Sequence, residues 1–150
     1  MHIPDNFPKN GIPEDCVREH EEQHISDLPN GAGCKKDSKG CCLDANKTPE
    51  AKDYGGKDNL KKSECKAYLV TARCCTRKAG LLDASPSNVV SDDQMRSYRH
   101  CVQEARYRAA RKHGTIDNDY GSPCNNDRKF IDLLDLFERY FRHKVRVGAF

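Results

Sequence analysis

The chain has 150 residues, the length of a typical domain, and residues 1–150 are expected to form a single one. Hydrophobic residues make up only 36% of it and charged residues 33%, so it buries less apolar area than usual and needs another source of stability. The net charge of +3 is too small to indicate a nucleic-acid partner. The chain also lacks the run of about 18 apolar residues that a membrane-spanning helix requires, so we expect no membrane span.

Disulfides among the nine cysteines could supply that stability. Because disulfides persist in oxidising compartments, the cysteine content favours a secreted or periplasmic protein. No C-x2-C pair is present, which argues against zinc binding by the cysteines. Because neighbouring side chains point in different directions, the adjacent pairs Cys41-Cys42 and Cys74-Cys75 should each connect their segment to two different places. The odd number leaves one thiol unpaired or bonded to another chain, and the connectivity stays open. No secretory signal is recognisable, so we expect that it has been removed or that the domain belongs to a larger secreted polypeptide.

The first third of the chain predicts an arm, a helix and a long loop. Residues 1–12 are rich in proline, glycine and asparagine and should form an N-terminal arm. Pro13-Glu14-Asp15 is typical of a helix start, since proline suits the first turn and acidic residues face the positive end of the helix dipole. The helix should run to Ile25 or Leu28 and end before Pro29. Residues 29–57 contain several glycines and predict a loop held by disulfides.

The rest of the chain predicts three more helices, from about Asp58 to Lys78, Asp92 to His113 and Asn126 to His143. Ser91 and Gln94 should form a capping box at the start of the middle one. The last helix is the most apolar and is expected to be the central core helix. The tail from Lys144 to Phe150 alternates like a short strand. The predicted fold class is mainly α, a small disulfide-stapled domain of about four helices with at most a short β element.

The motif that indicates chemistry is His20-Glu21-x-x-His24, an H-E-x-x-H on the first predicted helix. Residues four apart stack on one helical face, so both imidazoles can reach one Zn²⁺ at about 2.0–2.1 Å. Glu21 then lies beside the open position of the metal, where it can take a proton from water. The plainer interpretation is a polar helix, rich in glutamate and histidine, that faces solvent.

This motif resembles the active-site helix of zincin metallopeptidases. It is not similar to the metzincin version, because Asp27 and Asn30 stand where that pattern has glycine and histidine, so a third ligand must come from elsewhere. Glu64-x-x-Ala67 is similar to the E-x-x-A setting in which gluzincins supply a glutamate ligand from a later helix. The resemblance therefore implies a Zn²⁺ site made by His20, His24 and Glu64.

A rival third ligand is Asp117. The stretch from Gly114 to Gly121 is similar to the G-T-x-D-x-x-Y-G signature of aspzincins, in which the aspartate binds zinc. It lies about ninety residues from His24, much farther than in that family, and it also suits a helix end followed by a turn. Tyr120, within the same stretch, could donate to a developing oxyanion, as could a histidine such as His113. A histidine also stays open as the third ligand.

The resemblance implies a zinc-dependent hydrolase, most simply a metallopeptidase acting on a protein or peptide substrate through Glu21. Small cysteine-rich zincin domains are similar to the toxin domains that bacteria attach to secretion-system proteins, which implies a secreted effector with an immunity or inhibitor protein as partner. The alternative function is a non-catalytic, disulfide-rich helical module that binds a ligand or protein. The two hypotheses differ in zinc content, about one ion per chain for the first and none for the second.

Overall fold

The computed structural model describes residues 11–28, 51–82, 90–111, 122–124 and 127–146. Their elements are helix α1 (Glu14–Asp27), a short 3-10 helix (Ala51–Tyr54), and helices α2 (Lys57–Lys78), α3 (Asp92–Ala110) and α4 (Arg128–Arg146). These parts of the chain contain no strand, and none of their helices is long and apolar enough to cross a membrane. The predicted class, a small mainly α domain with disulfides, is confirmed.

Local sequence explains where the helices begin. The predicted capping box of α3 is present: the Gln94 backbone N–H donates to Ser91 Oγ at 3.2 Å, and the Ser91 N–H donates to Gln94 Oε1 at 3.1 Å. Pro13 immediately precedes α1, whose first turn carries the acidic Glu14 and Asp15. These signals lie within one turn of each helix, which is why the sequence predicts them.

The end of α4 corrects one prediction, since residues 144–146 are helical rather than a strand. The reason is a tertiary contact with the start of α3. Tyr140 donates its hydroxyl proton to Asp92 Oδ1 at 2.6 Å, and Lys144 Nζ lies 3.5 Å from the same oxygen. These two residues are one helical turn apart, so the contact favours another turn of helix. The remaining residues of the predicted strand, 147–150, lie outside the described part of the chain.

The central helix is α2 rather than α4, which corrects a second prediction. Helix α2 packs against α1, α3, α4 and the 3-10 helix, whereas α4 packs mainly on α3 and α2. Helix α4 is apolar on one face only, and it buries Phe130, Leu133 and Phe137 there. Helix α2 instead carries small side chains such as Ala67 and Ala72, both fully buried, which let its neighbours approach closely.

Within the described ranges, three disulfides connect α2 to other parts of the fold. Cys16–Cys74 ties α1 to it, Cys75–Cys101 ties α3 to it, and Cys65–Cys124 ties the segment that precedes α4 to it. The adjacent cysteines 74 and 75 thus bond to two different helices, as predicted. The pair Cys41-Cys42 lies outside the described residues. Disulfides of this kind indicate an oxidising environment.

Removing the α2–α3 cross-link should lower stability. The double substitution Cys75→Ala/Cys101→Ala opens a disulfide whose cysteines are 26 residues apart, which frees the unfolded chain and should lower the free energy of unfolding by about 3 kcal/mol. Urea denaturation followed by circular dichroism measures the change. As a control, the wild type should also lose stability when dithiothreitol reduces its disulfides. An unchanged urea midpoint in the variant would show that this disulfide contributes nothing to stability.

Candidate metal centre

The two histidines of the motif come together on the inner face of α1. His20 and His24 lie one helical turn apart, and their Nε2 atoms are 3.2 Å from each other. Their side chains are only 13% and 10% exposed because they pack against α2. The interpretation of α1 as a helix whose histidines face solvent is therefore wrong.

Glu64 joins the two imidazoles from α2. Its carboxylate lies 3.0 Å from His24 Nε2 and 4.0 Å from His20 Nε2, and the three groups have ligand atoms within 4.8 Å of one another. Ligands held at about 2.1 Å around one tetrahedral ion lie about 3.4 Å apart, so these separations bracket the value for a shared Zn²⁺. The residues predicted as the ligand set, from two helices, are thus brought to one point.

The hydroxyl of Ser63 determines which nitrogen of His24 carries a proton. Ser63 donates its single hydroxyl proton to Asp27 Oδ2 at 2.8 Å. The contact of 2.8 Å between Ser63 Oγ and His24 Nδ1 must then be a hydrogen bond donated by the Nδ1–H of the histidine. In neutral His24 the lone pair is therefore on Nε2, the atom that faces Glu64.

Thr71 orients His20 in the same way. Its hydroxyl donates to the backbone carbonyl of Ala67 at 3.1 Å, so its oxygen accepts from His20 Nδ1–H, also at 3.1 Å. Neutral His20 consequently also presents its lone pair on Nε2. Two hydroxyls on α2 thus turn both imidazole lone pairs toward the same point.

Three acceptors facing one another require a cation between them. With Nδ1 protonated on both rings, His20 Nε2, His24 Nε2 and the Glu64 carboxylate repel one another unless a proton or a metal ion lies there. Two imidazoles and one carboxylate also form the donor set of a class of catalytic zinc sites with an open fourth position. The hydrogen bonds to Ser63 and Thr71 are the outer contacts that such ligands use. The residues therefore fit zinc.

Without a metal ion, the pKa values of the two histidines shift in opposite directions. Burial, followed by the positive charge of His24, lowers the pKa of His20 to about 4, although Glu64 partly opposes the shift. For His24, burial is the largest single influence and lowers the pKa, but the hydrogen bond and charge of Glu64, with smaller help from Glu21, outweigh it. The net result is a raised pKa for His24, and a proton there neutralises Glu64 when no metal does.

Two buried tyrosines line the imidazoles. The Tyr68 ring packs edge-on against His20 with centroids 4.7 Å apart, and the Tyr54 ring packs similarly against His24 at 6.1 Å. Burial first, and then the negative charge of Glu64, raise the pKa of each phenol to about 12. Both hydroxyls therefore remain protonated near neutral pH and can act as hydrogen-bond donors.

Glu21 lies at the outer edge of this site. Its side chain is exposed on α1, and its negative charge raises the pKa of His24, Tyr54 and Tyr68. Arg108 from α3 lowers the pKa of His20, and its Nε atom lies 3.0 Å from Glu104 Oε1. Arg108 and Arg111 both lower the pKa of Tyr68, so the site has cationic as well as carboxylate neighbours.

Other residues considered as ligands or donors lie outside the described part of the chain, namely His113, Asp117 and Tyr120. A second cluster within the described residues, Cys16, Glu19 and Cys74, has suitable spacing, but its two cysteines are joined in a disulfide and have no thiolate to offer.

Sequence reasoning missed Tyr54, Ser63, Tyr68 and Thr71 as parts of the site. A signal for Tyr68 and Thr71 exists on α2, because Glu64, Ala67, Tyr68 and Thr71 follow the i, i+3, i+4, i+7 spacing of one helical face. The structure adds that Ser63 and Thr71 are polar yet fully buried, and the sequence gives no signal for the burial of Ser63. Tyr54 is separated from the motif by the long connection after α1, so nothing local identifies it.

Comparison with protein-family models, curated proteins and solved structures finds no match for the chain.

Replacing Thr71 should weaken metal binding without unfolding the protein. Thr71→Val keeps the side-chain shape but removes the acceptor for His20 Nδ1–H, so affinity for Zn²⁺ should fall by about tenfold or more. Thr76→Val is the matched control, since Thr76 also donates to a carbonyl on the buried side of α2, that of Ala72, at 2.8 Å. Competition with a fluorescent zinc chelator measures both affinities. Equal losses in the two variants would assign the effect to helix packing.

Glu64 should also control the titration of His24 in the metal-free protein. In the wild type, Glu64 raises the pKa of His24, so its ring should lose its proton only above pH 6.5. In Glu64→Gln the attraction is removed while burial remains, so the pKa of His24 should fall below 6.5. Histidine ring NMR signals followed against pH in a chelating buffer measure this reversal. An unchanged midpoint would contradict the contact between the two residues.

Proposed function

We propose that the protein is a zinc-dependent hydrolase, most simply a peptidase, with His20, His24 and Glu64 as the ligands. The observation that carries the proposal is the convergence of two Nε2 lone pairs and a carboxylate on one point, with Ser63 and Thr71 orienting the rings. A buried group of three acceptors is costly without a cation. Its retention in a chain with the H-E-x-x-H pattern supports a metal-binding role.

Zinc held by these residues would supply Lewis acidity, which would polarise a carbonyl and make water acidic enough to lose a proton near pH 7. Glu21 would take a proton from the attacking water, since it follows His20 directly and its charge already acts on His24. Glu21 would then return that proton to the leaving amine as the water oxygen replaces the amine on the carbonyl carbon and the peptide bond breaks. Tyr54 and Tyr68, both protonated at neutral pH and next to the imidazoles, are candidates to donate to the carbonyl oxygen, beside the sequence-based candidate Tyr120.

The proposed substrate is a protein or peptide, and the proposed setting is outside the cytosol. The three disulfides indicate an oxidising environment, which supports a secreted or periplasmic enzyme. A toxin or effector role, with an immunity or inhibitor protein as partner, extends the proposal and rests on the resemblance of the motif alone. The non-catalytic binding module stays the alternative, and it would lack stoichiometric zinc.

Substitution of Glu21 separates catalysis from metal binding. Glu21→Gln should keep about one zinc per chain but lose turnover by at least about a hundredfold, because the proton acceptor is gone. Glu22→Gln is the matched control, since it removes the same charge from an exposed neighbour on α1. Zinc content is measured by mass spectrometry, and turnover by peptide products from a mixed peptide library.

His20→Ala should lose both zinc and turnover, which completes the comparison. A wild-type chain that binds one zinc but cleaves no peptide in the library would remove the peptidase proposal and leave a metal-binding module. A chain without zinc after loading would remove the metal centre as well. Equal rates in the wild type and Glu21→Gln would assign the proton transfer to another group.

A further inference from the structure

A second concave surface lies on the outer face of α2, away from the imidazoles. It is a cavity of about 590 Å³ between α2 and the start of α4. Lys62, Cys65 and Leu69 line it, whereas Ser63 and Thr71 contact the histidines. At about 100° per residue, these two sets lie roughly half a turn apart on the helix. The cavity is therefore separate from the candidate metal centre.

The floor of this cavity is apolar. It is formed by Leu69, Phe130, Pro123 and the Cys65–Cys124 disulfide. Phe130 belongs to the first turn of α4 and is 1% exposed, so it forms a fixed wall rather than a mobile surface group. The disulfide holds the Pro123–Cys124 segment against α2, which keeps the cavity formed in the absence of a ligand.

The mouth of the cavity is positively charged. Four lysines line it, with Asp58 as the one acidic residue: Lys61, Lys62, Lys66 and Lys129. Lys66 is partly neutralised, since its Nζ lies 3.6 Å from Asp27 Oδ1. The other three lysines form no ion pair with a carboxylate in the described ranges. Among the described lining residues, an apolar floor is thus combined with an excess of positive charge at the entrance.

We propose that this cavity binds a single-chain amphipathic anion, of which a long-chain fatty acid is the simplest example. Its tail would lie against Leu69 and Cys65, and its carboxylate would lie among Lys61, Lys62 and Lys129. A small inorganic anion would leave the apolar floor in water, and a neutral apolar molecule would leave the lysines uncompensated. A molecule with both parts satisfies the whole surface. This binding requires no metal and is independent of the proposed hydrolase activity.

Isothermal titration of the full chain with laurate, below its micelle-forming concentration and with a chelator present, tests the proposal. One saturable site is expected. Lys62→Gln/Lys129→Gln should weaken it by about tenfold or more, because two charges at the mouth are lost. Arg139→Gln/Arg142→Gln is the matched control, since it removes two exposed charges elsewhere on α4 and should leave affinity unchanged.

Related ligands test whether the site recognises both the carboxylate and the apolar tail of laurate. Hexanoate and dodecanol should both bind more weakly than laurate, because each lacks one of the two features. The proposal fails if laurate shows no saturable site, if inorganic phosphate or a glutamate-rich peptide displaces it at equal concentration, or if the arginine control weakens binding as much. Thermal unfolding checks that the lysine variants fold, and Lys62→Gln alone serves if the double variant does not.

Discussion

The candidate site depends on the direction in which two hydroxyl protons point. Ser63 and Thr71 each have one proton to donate, and neither donates it to a histidine: Ser63 donates to the Asp27 carboxylate and Thr71 to the Ala67 carbonyl. Their oxygens are left to accept from His24 and His20, which sets the orientation of both rings. Helix α2 therefore supplies both the carboxylate that joins the imidazoles and the groups that aim them.

The disulfide between α1 and α2 lies directly beside this arrangement. Cys16 is one turn before His20 on the same face of α1, and Cys74 is three residues after Thr71 on α2. Helix α1 has few buried apolar side chains, since Cys16 and His24 are its buried residues. The disulfide therefore supplies a fixed spacing between the two helices that hydrophobic packing alone would not. A polar chain thus obtains a rigid interface from a cross-link and a few hydrogen bonds rather than from a large apolar core.

Electrostatics explains why this interface favours a cation. Burial lowers the pKa of His20, so a proton on this ring is disfavoured. The carboxylate of Glu64 is nevertheless stabilised by a positive charge beside it, and it raises the pKa of His24. A proton on His24 Nε2 faces both Glu64 at 3.0 Å and His20 Nε2 at 3.2 Å, and one N–H cannot satisfy both acceptors fully. A divalent ion would satisfy all three atoms together. The lysine-rimmed cavity on the other face of α2 has the opposite polarity, so one helix separates a site suited to a cation from a site suited to an anion.

The sequence by itself determined the local features. Helix starts at Pro13 and Ser91, the pairing of His20 with His24, and the divergence of Cys74 and Cys75 all depend on residues within one or two turns, so periodicity and capping chemistry reveal them. The placement of Glu64 beside the histidines also followed from the sequence, but only through resemblance to a family pattern. The central position of α2, the helical end of α4, the contribution of Tyr54 and the lysine-rimmed cavity were decided by tertiary structure alone. These features depend on segments far apart in the chain. They are stabilised by contacts and cross-links between elements, which no local sequence pattern encodes.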